Sequence, residues 1–507
     1  MGVISLWSIL DEKDVGQRTN LRDLSGKRLA VDLSIWILEL KRANYKLFDS
    51  PNFFLKNLFY RVLGFLKNGI QLVFIIDALH VPSLKTAAVR KRLKECHGIE
   101  GGIDRSKFQI CVNKCIGLFD KLGIPYLTSS GEAESLCAKL NKDGLVDACL
   151  TRDGDVFCYG AKHVYRNLQK LSKEYYVDIY TADSIQEKVC LDQRSFVALA
   201  LLCGCDYNKS GVKSIGHKKA LSLLRNFQEN KFDPLDRMLG WRSNTELNNL
   251  QEVRTNLPKK HPHCLRCHHV GDLTAHDTTG CSSCTTNVGC SVNADTCYCE
   301  WHQSERKLAD FKDDLTKFKQ ELDVREKALM DYNFPDKEII HEFLDDKNEK
   351  IPLNKVCSSE PDVTGIVSYM LDKVRMDGVD IMRHLIIALV HIKLFSSPQF
   401  WHSLKLEPVS ILRESKENFR LCYEVKWKKL EVDTWTKEDY YTIHVERELF
   451  KQQYSEMVKE FISSQGKGKQ VGFRKRKSTD NITSQTAIDT FFPKKKKQSK
   501  KGTKMTY

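Results

Sequence analysis

Seven carboxylates close apolar runs within the first 210 residues: Asp32 in LAVDLS, Asp77 in VFIIDA, Glu132 and Glu134 in GEAES, Asp153 and Asp155 in TRDGD, and Asp206 in GCDY. Like charges repel, so a chain keeps such a set together mainly where a divalent cation neutralises it. Oxygen-only ligands without matching histidines suit Mg²⁺, with Mn²⁺ as a substitute, rather than zinc. Two such ions held side by side are the usual apparatus for cutting phosphodiesters. One such acid alone reads as readily as a cap or a solvated loop residue. The set carries the expectation.

Spacing adds to it. Glu132 and Glu134 would not share a face in the body of a helix. At a first turn, with Ser130 or Gly131 as N-cap, both reach beyond the helix end. Asp153 and Asp155 repeat the spacing around Gly154, expected to permit a tight turn. Asp206 precedes the segment Ser210, Gly211, Val212, Lys213, Ser214, Ile215, Gly216, which reads as the hairpin of a helix-hairpin-helix. Its glycines let backbone N–H groups approach a phosphate, and Lys218 and Lys219 follow at the next helix start. A plain αα-turn is the alternative. Lys85 and Arg92 stand seven apart in SLKTAAVRKRLKE and share a helical face. That face reads as a clamp on the scissile phosphate or as a solvated basic surface.

The elements that must position these groups alternate. Lys27–Val31 and Gln71–Ile76 are apolar strand runs ending at Asp32 and Asp77, with a helix over Phe53–Leu66 between them. A helix over Phe108–Leu122, a strand over Ile124–Leu127, a helix over Glu132–Asn141 and a strand over Asp147–Thr151 follow. This order argues an α/β fold around a mainly parallel sheet. Such sheets place ligands outside the carboxyl ends of their strands, where Asp32, Asp77, Asp153 and Asp155 fall. Residues 186–228 read as helical with a break at the hairpin, and 303–347 as a charged helix followed by another. Residues 408–462 read as a short strand-rich module ending in a helix.

Two segments have their own chemistry. In the insert 257–302, Cys264-x-x-Cys267 and Cys281-x-x-Cys284 are thiol pairs at a spacing suited to tetrahedral Zn²⁺, and seven of the chain's 18 cysteines lie within 264–299. His268, His269, His276, Cys290, Cys297, Cys299 and His302 lie nearby, which leaves room for a second site, and a reduced, metal-free loop is the alternative. From Gly466 onward the chain carries 13 Lys/Arg against 2 Asp, a net +11 of the total +14. This tail reads as disordered, with Arg474–Lys477 and Lys494–Lys497 as nuclear-localisation or DNA-tethering runs. Within it Gln485, Ile488, Phe491 and Phe492 fit the sliding-clamp (PCNA) box Q-x-x-I-x-x-F-F, an apolar island with no core to join.

Bulk properties exclude some classes. At 507 residues and 41% hydrophobic content the chain should hold roughly two to four domains. No apolar stretch reaches about 18 residues, so no membrane partner is expected. MGVISLWSIL lacks a secretory n-region, and Leu6 breaks the myristoylation pattern. Cysteines in such a chain are expected reduced or metal-bound.

The strings MGVISLW, VDLSIW, GEAES, TRDGDVF and LLCGCDY, in this order, resemble the flap endonuclease (XPG-type) nuclease superfamily over roughly residues 1–230. The resemblance implies a PIN-like core and metal ligation by the seven acids. It also implies catalytic roles for Lys85 and Arg92, a site near Gly2, and a K⁺ ion in the hairpin. About 40 residues separate Arg92 from Glu132, a short arch. That arch, the CEWH string ending the insert and the chromodomain-like look of 408–462 resemble the GEN-type Holliday junction resolvases. The expected regions are XPG N-terminal 1–95, arch and following helix 96–121, XPG internal with helix-hairpin-helix 122–228, and helical 229–407 with the insert. A chromodomain-like α+β module 408–462 and the tail 463–507 with its clamp box 485–492 complete them. Tyr423, Trp427 and Trp435 read as a methyl-lysine cage or, preferably, as the module's core. The implied protein is a nuclear Mg²⁺-dependent endonuclease acting on branched DNA, a monomer when free and a dimer on junctions. The clamp box keeps a clamp-tethered flap endonuclease open as the rival. A non-catalytic chromatin or clamp adaptor is the rival from another class.

Overall fold

The structure, a computed structural model, describes residues 2–42, 52–77, 105–171, 174–255, 262–292, 299–346, 350–395, 405–417 and 420–465. Lys85, Arg92, the clamp box and the basic tail lie outside the described residues. The chain divides into two compact units: Met1–Gly2, Leu6–Gln193 and His341–Tyr507 in the first, Val3–Ser5 and Arg194–Ile340 in the second. These units cut across the linear regions read from the sequence, because both 122–228 and 229–407 contribute to each.

In the first unit the order is α1 (Leu6–Glu12), β1 (Gln17–Asn20), β2 (Arg28–Asp32), α2 (Leu33–Arg42), α3 (Phe53–Lys67), β3 (Gln71–Ile76), α4 (Arg105–Leu122) and β4 (Tyr126–Thr128). Then come α5 (Ala133–Lys142), β5 (Ala148–Leu150), α6 (Asp155–Cys158), β6 (His163–Leu171), β7 (Glu174–Thr181) and α7 (Ala182–Val189). The second unit begins in α8 (Gln193–Cys203) and continues with α9 (His217–Glu229), α10 (Pro234–Leu239), α11 (Thr245–Thr255), α12 (Leu273–Thr279), α13 (Glu300–Asp310) and α14 (Lys312–Ala328). The chain returns to the first unit within α15 (Lys337–Leu344). It adds α16 (Val363–Val374), α17 (Gly378–Phe395), β8 (Pro408–Glu417), β9 (Arg420–Lys428), β10 (Tyr440–Glu446), α18 (Arg447–Gln453) and α19 (Ser455–Gln465). Among the described residues no helix is long and apolar enough to cross a membrane.

The first unit's sheet has seven strands in the order β1-β7-β6-β5-β2-β3-β4. β6, β5, β2, β3 and β4 run parallel, in register through Asp32↔Ile75, Val31↔Leu150 and Ile75↔Leu127. β7 and β1 add antiparallel at one edge. β2 and β3 are continuous apolar runs because parallel strands are covered on both faces. Leu29 and Val31 of β2 and Leu72, Phe74 and Ile76 of β3 alternate into one core with α2, α3, α4, α16 and α17. There Phe74 stacks on Phe119 with ring centroids 4.1 Å apart.

β10, β9 and β8 form a separate antiparallel sheet. Tyr423 and Trp427 of β9 are fully buried, 6.1 and 6.3 Å from the Phe450 ring of α18. These two rings lie in the core, as in the preferred reading, whereas Trp435, the third residue of that reading, is half-buried against it. In the second unit the buried Glu321 of α14 accepts from Arg237 Nε at 2.7 Å and Trp241 Nε1 at 2.8 Å, tying α10 to α14.

Candidate active site

Six of the seven acids stand at the carboxyl ends of the first unit's parallel strands. Asp32 is the last residue of β2. Its Oδ1 accepts the Ser34 and Ile35 N–H groups at 2.7 and 3.4 Å, which caps α2. Asp77 directly follows β3; its Oδ2 accepts from Ser34 Oγ at 2.5 Å and its Oδ1 from the Ala133 N–H at 2.9 Å. Asp77 therefore links the start of α2 to the start of α5. Glu132 is itself the N-cap of α5, rather than Ser130 or Gly131, and Glu134 lies in the first turn. Ser129 Oγ donates to the Glu132 carbonyl at 2.8 Å and sets the approach to that helix. Asp153 and Asp155 follow β5, Asp155 opening α6; Asp153 Oδ1 accepts the Asp155 N–H at 3.1 Å. Five of these six are buried, with Asp77 intermediate.

Burial and mutual repulsion set the electrostatics. Burial first, and the Asp77 charge second, push the Asp32 carboxyl from 3.8 up to about 7. Glu134 is raised well above its ordinary value by burial, then by Asp32, Asp153, Asp77 and Glu132 in that order. Asp32 and Glu134 also share a hydrogen bond. A mostly buried, oxygen-only set in which burial and neighbouring charges disfavour the ionised forms of Asp32 and Glu134 is what a hard divalent cation relieves, so these residues fit Mg²⁺.

The N-terminus packs onto this centre. A Cβ on Gly2, whose φ is +82°, would sit 2.1 Å from Asp153 Oδ1 and 2.7 Å from the Asp155 nitrogen. Only glycine fits. Gly154 has an ordinary φ of −80°, so it is not there for a tight turn. A Cβ at Gly154 would meet Leu6 Cδ2 at 3.0 Å, so its smallness is for packing. Trp7 Nε1 donates to the Arg152 carbonyl at 3.0 Å, and the Arg166 guanidinium lies 4.1 Å over the Trp7 ring. Ser34, Ser129, Thr151, whose Oγ1 accepts the Asp153 N–H at 3.0 Å, and Trp7 are supports the sequence reading missed. Three of them lie inside the quoted strings VDLSIW, TRDGDVF and MGVISLW.

The second unit holds the remaining candidates. Asp206 lies beyond α8, half-buried, at the head of the hairpin that leads into α9. The hairpin is tight: the Val212 N–H donates to the Leu202 carbonyl at 2.9 Å, and Val212 and Ile215 are buried. A Cβ on Gly211, at φ +52°, would meet the Leu202 oxygen at 2.6 Å. Around Gly216, the N-cap of α9, a Cβ would meet nothing within 4 Å, and Ser210, Lys218 and Lys219 are exposed. The two Cys-x-x-Cys pairs read as zinc ligands fall into two groups. Cys264 and Cys267 group with His276 and Cys290, whereas Cys281 and Cys284 group with Cys267 and His269.

An α/β sheet with a carboxylate cluster at the ends of its strands fits a divalent-metal site. Residues 1–97 match the XPG N-terminal domain and residues 123–206 the XPG I-region. Flap endonuclease GEN homolog 1 of Mus musculus is 34% identical over 441 residues, covering 85% of this chain and 46% of the relative. Its Homo sapiens counterpart is 33% identical with the same coverage. Flap endonuclease GEN-like 1 of Arabidopsis thaliana is 31% identical over 74% of this chain and 64% of its own. The chain thus spans about half the length of the first of these relatives. The crystal structure of human GEN1 with Holliday junction DNA superposes with a TM-score of 0.63 at 27% identity, covering 92% of this chain and 98% of that one. A GEN-1 junction-resolving enzyme solved with potassium gives 0.55 at 18% identity over 90% and 99%, a likeness of fold alone. The chain thus matches the XPG N-terminal domain and I-region, and over most of its length it is similar to the GEN-type flap endonucleases.

Proposed function

We propose that this protein is a Mg²⁺-dependent, structure-selective DNA endonuclease that nicks 5′ flaps and resolves Holliday junctions in repair and recombination. The observation that carries this reading is the convergence of Asp32, Asp77, Glu132, Glu134, Asp153 and Asp155 at the strand ends of a GEN-type fold. Two Mg²⁺ ions in that cluster, with Mn²⁺ as substitute, would supply a hydroxide nucleophile at neutral pH and neutralise charge on the reacting phosphate. The chain's own residues do the rest. Asp77 and Ser34 hold the starts of α2 and α5 together. Gly2 and Trp7 hold the Asp153–Asp155 turn. Lys85 and Arg92 carry the phosphate-clamping role in this reading, and the resemblance assigns Asp206 a metal-ligand role as well.

The exposed Lys218 and Lys219 and the open face of Gly216 support backbone contacts to DNA at the hairpin, with K⁺ bound there. Contacts of that kind read shape rather than base sequence. Residues 408–462 serve as a chromodomain-like DNA-contact surface, and the insert binds zinc. The tail directs the protein to the nucleus, and a dimer assembles on each junction. The clamp box Gln485–Phe492 favours one further reading, a clamp-tethered 5′-flap endonuclease that needs a free 5′ end. A flap substrate with a bulky 5′ block, tested beside an intact four-way junction, separates the two. Cleavage of both is expected; loss of both, with an open flap still cut, would favour the rival.

A further inference from the structure

The insert brings seven metal-ligand side chains into two groups of four that share one member. The sulfur and ring-nitrogen atoms of Cys264, Cys267, His276 and Cys290 all lie within 4.8 Å of one another, and so do those of Cys267, His269, Cys281 and Cys284. Cys264 Sγ is 3.6 Å from Cys290 Sγ, and Cys267 Sγ is 4.0 Å from Cys281 Sγ. The sulfur–nitrogen separations are 3.3 Å for Cys267 to His276 Nδ1, with 3.6 and 3.4 Å for Cys281 and Cys284 to His269 Nδ1. Tetrahedral zinc, with bonds of about 2.3 Å to sulfur and about 2.0 Å to nitrogen, spaces its ligands about 3.8 Å (S–S) and about 3.5 Å (S–N) apart. The observed edges match both. They are far longer than a disulfide bond of about 2.05 Å, and all five cysteines are free.

The local fold is built for this. Each Cys-x-x-Cys turn is followed by a non-glycine residue in the left-handed region, His268 at φ 60° and Thr285 at φ 55°. Each is clipped by a bridge, His263↔Val270 and Cys281↔Thr286. The Arg266 N–H points at Cys264 Sγ, 3.4 Å away. His276 Nε2 lies 3.0 Å from the Val270 carbonyl, which can only accept, so Nε2 carries the proton and Nδ1 presents its lone pair to the group. The core of residues 262–292 consists of Cys264, Cys267 and Cys281, whereas Leu265, Val288 and Val292 are 83%, 73% and 70% exposed. Leu273 packs on that cysteine cluster, but a segment below about 40 residues with most of its aliphatic side chains outward has too little apolar core to fold around, and metal or disulfides must supplement it.

The geometry points to a binuclear zinc centre in which the Cys267 thiolate bridges two ions, one completed by Cys264, His276 and Cys290, the other by His269, Cys281 and Cys284. Two tetrahedral ions sharing one ligand need seven side chains, the number present. Five thiolates against two Zn²⁺ leave a net charge of −1, far easier to bury than five uncompensated thiolates. His263, Cys299 and His302 form a third group that shares no member with these two.

The test counts zinc by native mass spectrometry on the full chain after passage over a chelating resin, a readout independent of DNA cleavage. His276→Ala and His269→Ala should each lose one ion relative to the unsubstituted protein. Cys267→Ser should lose two, and His263→Ala none of this pair. A full chain that retains no zinc, or a Cys267→Ser variant that loses no more than His276→Ala, would overturn the proposal. Because Cys267→Ser could also unfold the insert, the bridge is read a second way. In His263→Ala protein loaded with two equivalents of Co²⁺, the electron-paramagnetic signal should fall well below that of two isolated ions. A signal equal to their sum would overturn the bridge.

Discussion

Replacing Asp32 by Asn should stabilise the metal-free protein and abolish its cleavage activity. Asp32 is 3% exposed, and burial together with the Asp77 charge raises its carboxyl from 3.8 to about 7. A raised carboxyl holds its proton more tightly in the folded chain. Its contribution is therefore fully present below about pH 4 and is lost as pH rises through 7. Across that window each pH unit costs about 1.4 kcal/mol, so by pH 8 the ionised group weighs on the fold by about 4 kcal/mol. Asn keeps an oxygen for the Ser34 N–H, now at 2.7 Å from Asp32, but carries no charge. In thermal melts with EDTA at pH 8 the D32N variant should therefore melt higher than the parent by roughly 8 °C, at about 2 °C per kcal/mol for a chain this large. At pH 5.5 the gap should shrink to about half. Adding Mg²⁺ should raise the parent more than the variant, because binding stabilises whichever fold holds the ion. A variant that melts below the parent at pH 8 in EDTA, or a gap that widens on acidification, would refute the view of this cluster as mutually repelling acids awaiting a cation.

Other expectations follow from single contacts. Gly2→Ala places a Cβ 2.1 Å from Asp153 Oδ1 at a φ of +82°. It should cost about 1–2 kcal/mol of stability through the backbone alone, yet lower kcat/KM on a nicked-flap substrate by about 100-fold or more through a displaced Asp153–Asp155 turn; parental kinetics would remove Gly2 from the site. Trp7→Phe keeps the ring but loses the 3.0 Å bond to the Arg152 carbonyl. A loss of about 1 kcal/mol in a denaturant titration is expected, with slower cleavage. Glu321→Gln strips the charge that faces Arg237 at 2.7 Å in the second unit. Urea titration should show a loss of about 3 kcal/mol, while the folded fraction cleaves at the parental rate.

The parts legible in the sequence were those where local pattern and burial agree. β2 and β3 stood out because central parallel strands are apolar throughout, and an acid ending such a run marks the sheet's carboxyl edge. β1 is Gln17–Asn20, polar because it is an edge, and it left no apolar signal. β6 and β7 are rich in polar and charged residues as well as aromatics, and their antiparallel pairing closes the sheet without an alternation clear enough to read. Gly154 illustrates a second limit: glycine suggests a special φ, but here the demand is room for Leu6, a contact from 148 residues earlier in the chain. Gly2 came from resemblance, and its physical reason, the Asp153 carboxylate against its α-carbon, needed coordinates. In the insert the Cys-x-x-Cys spacing was visible. The choice of His269 and His276 over His268, and the sharing of Cys267, depends on a fold that spacing cannot supply. The two units show why linear regions mislead, since the chain leaves the first unit after Gln193 and returns at His341.

Cleavage of branched DNA by the acid cluster with Mg²⁺ is tested by assaying an intact four-way junction with the parent and with Asp155→Ala. With Mg²⁺ the parent should convert the junction to nicked duplex products, and EDTA should stop it. Asp155→Ala should bind the same junction with similar affinity and give no product. Undiminished cutting by Asp155→Ala, or parental cutting in EDTA, would contradict the account.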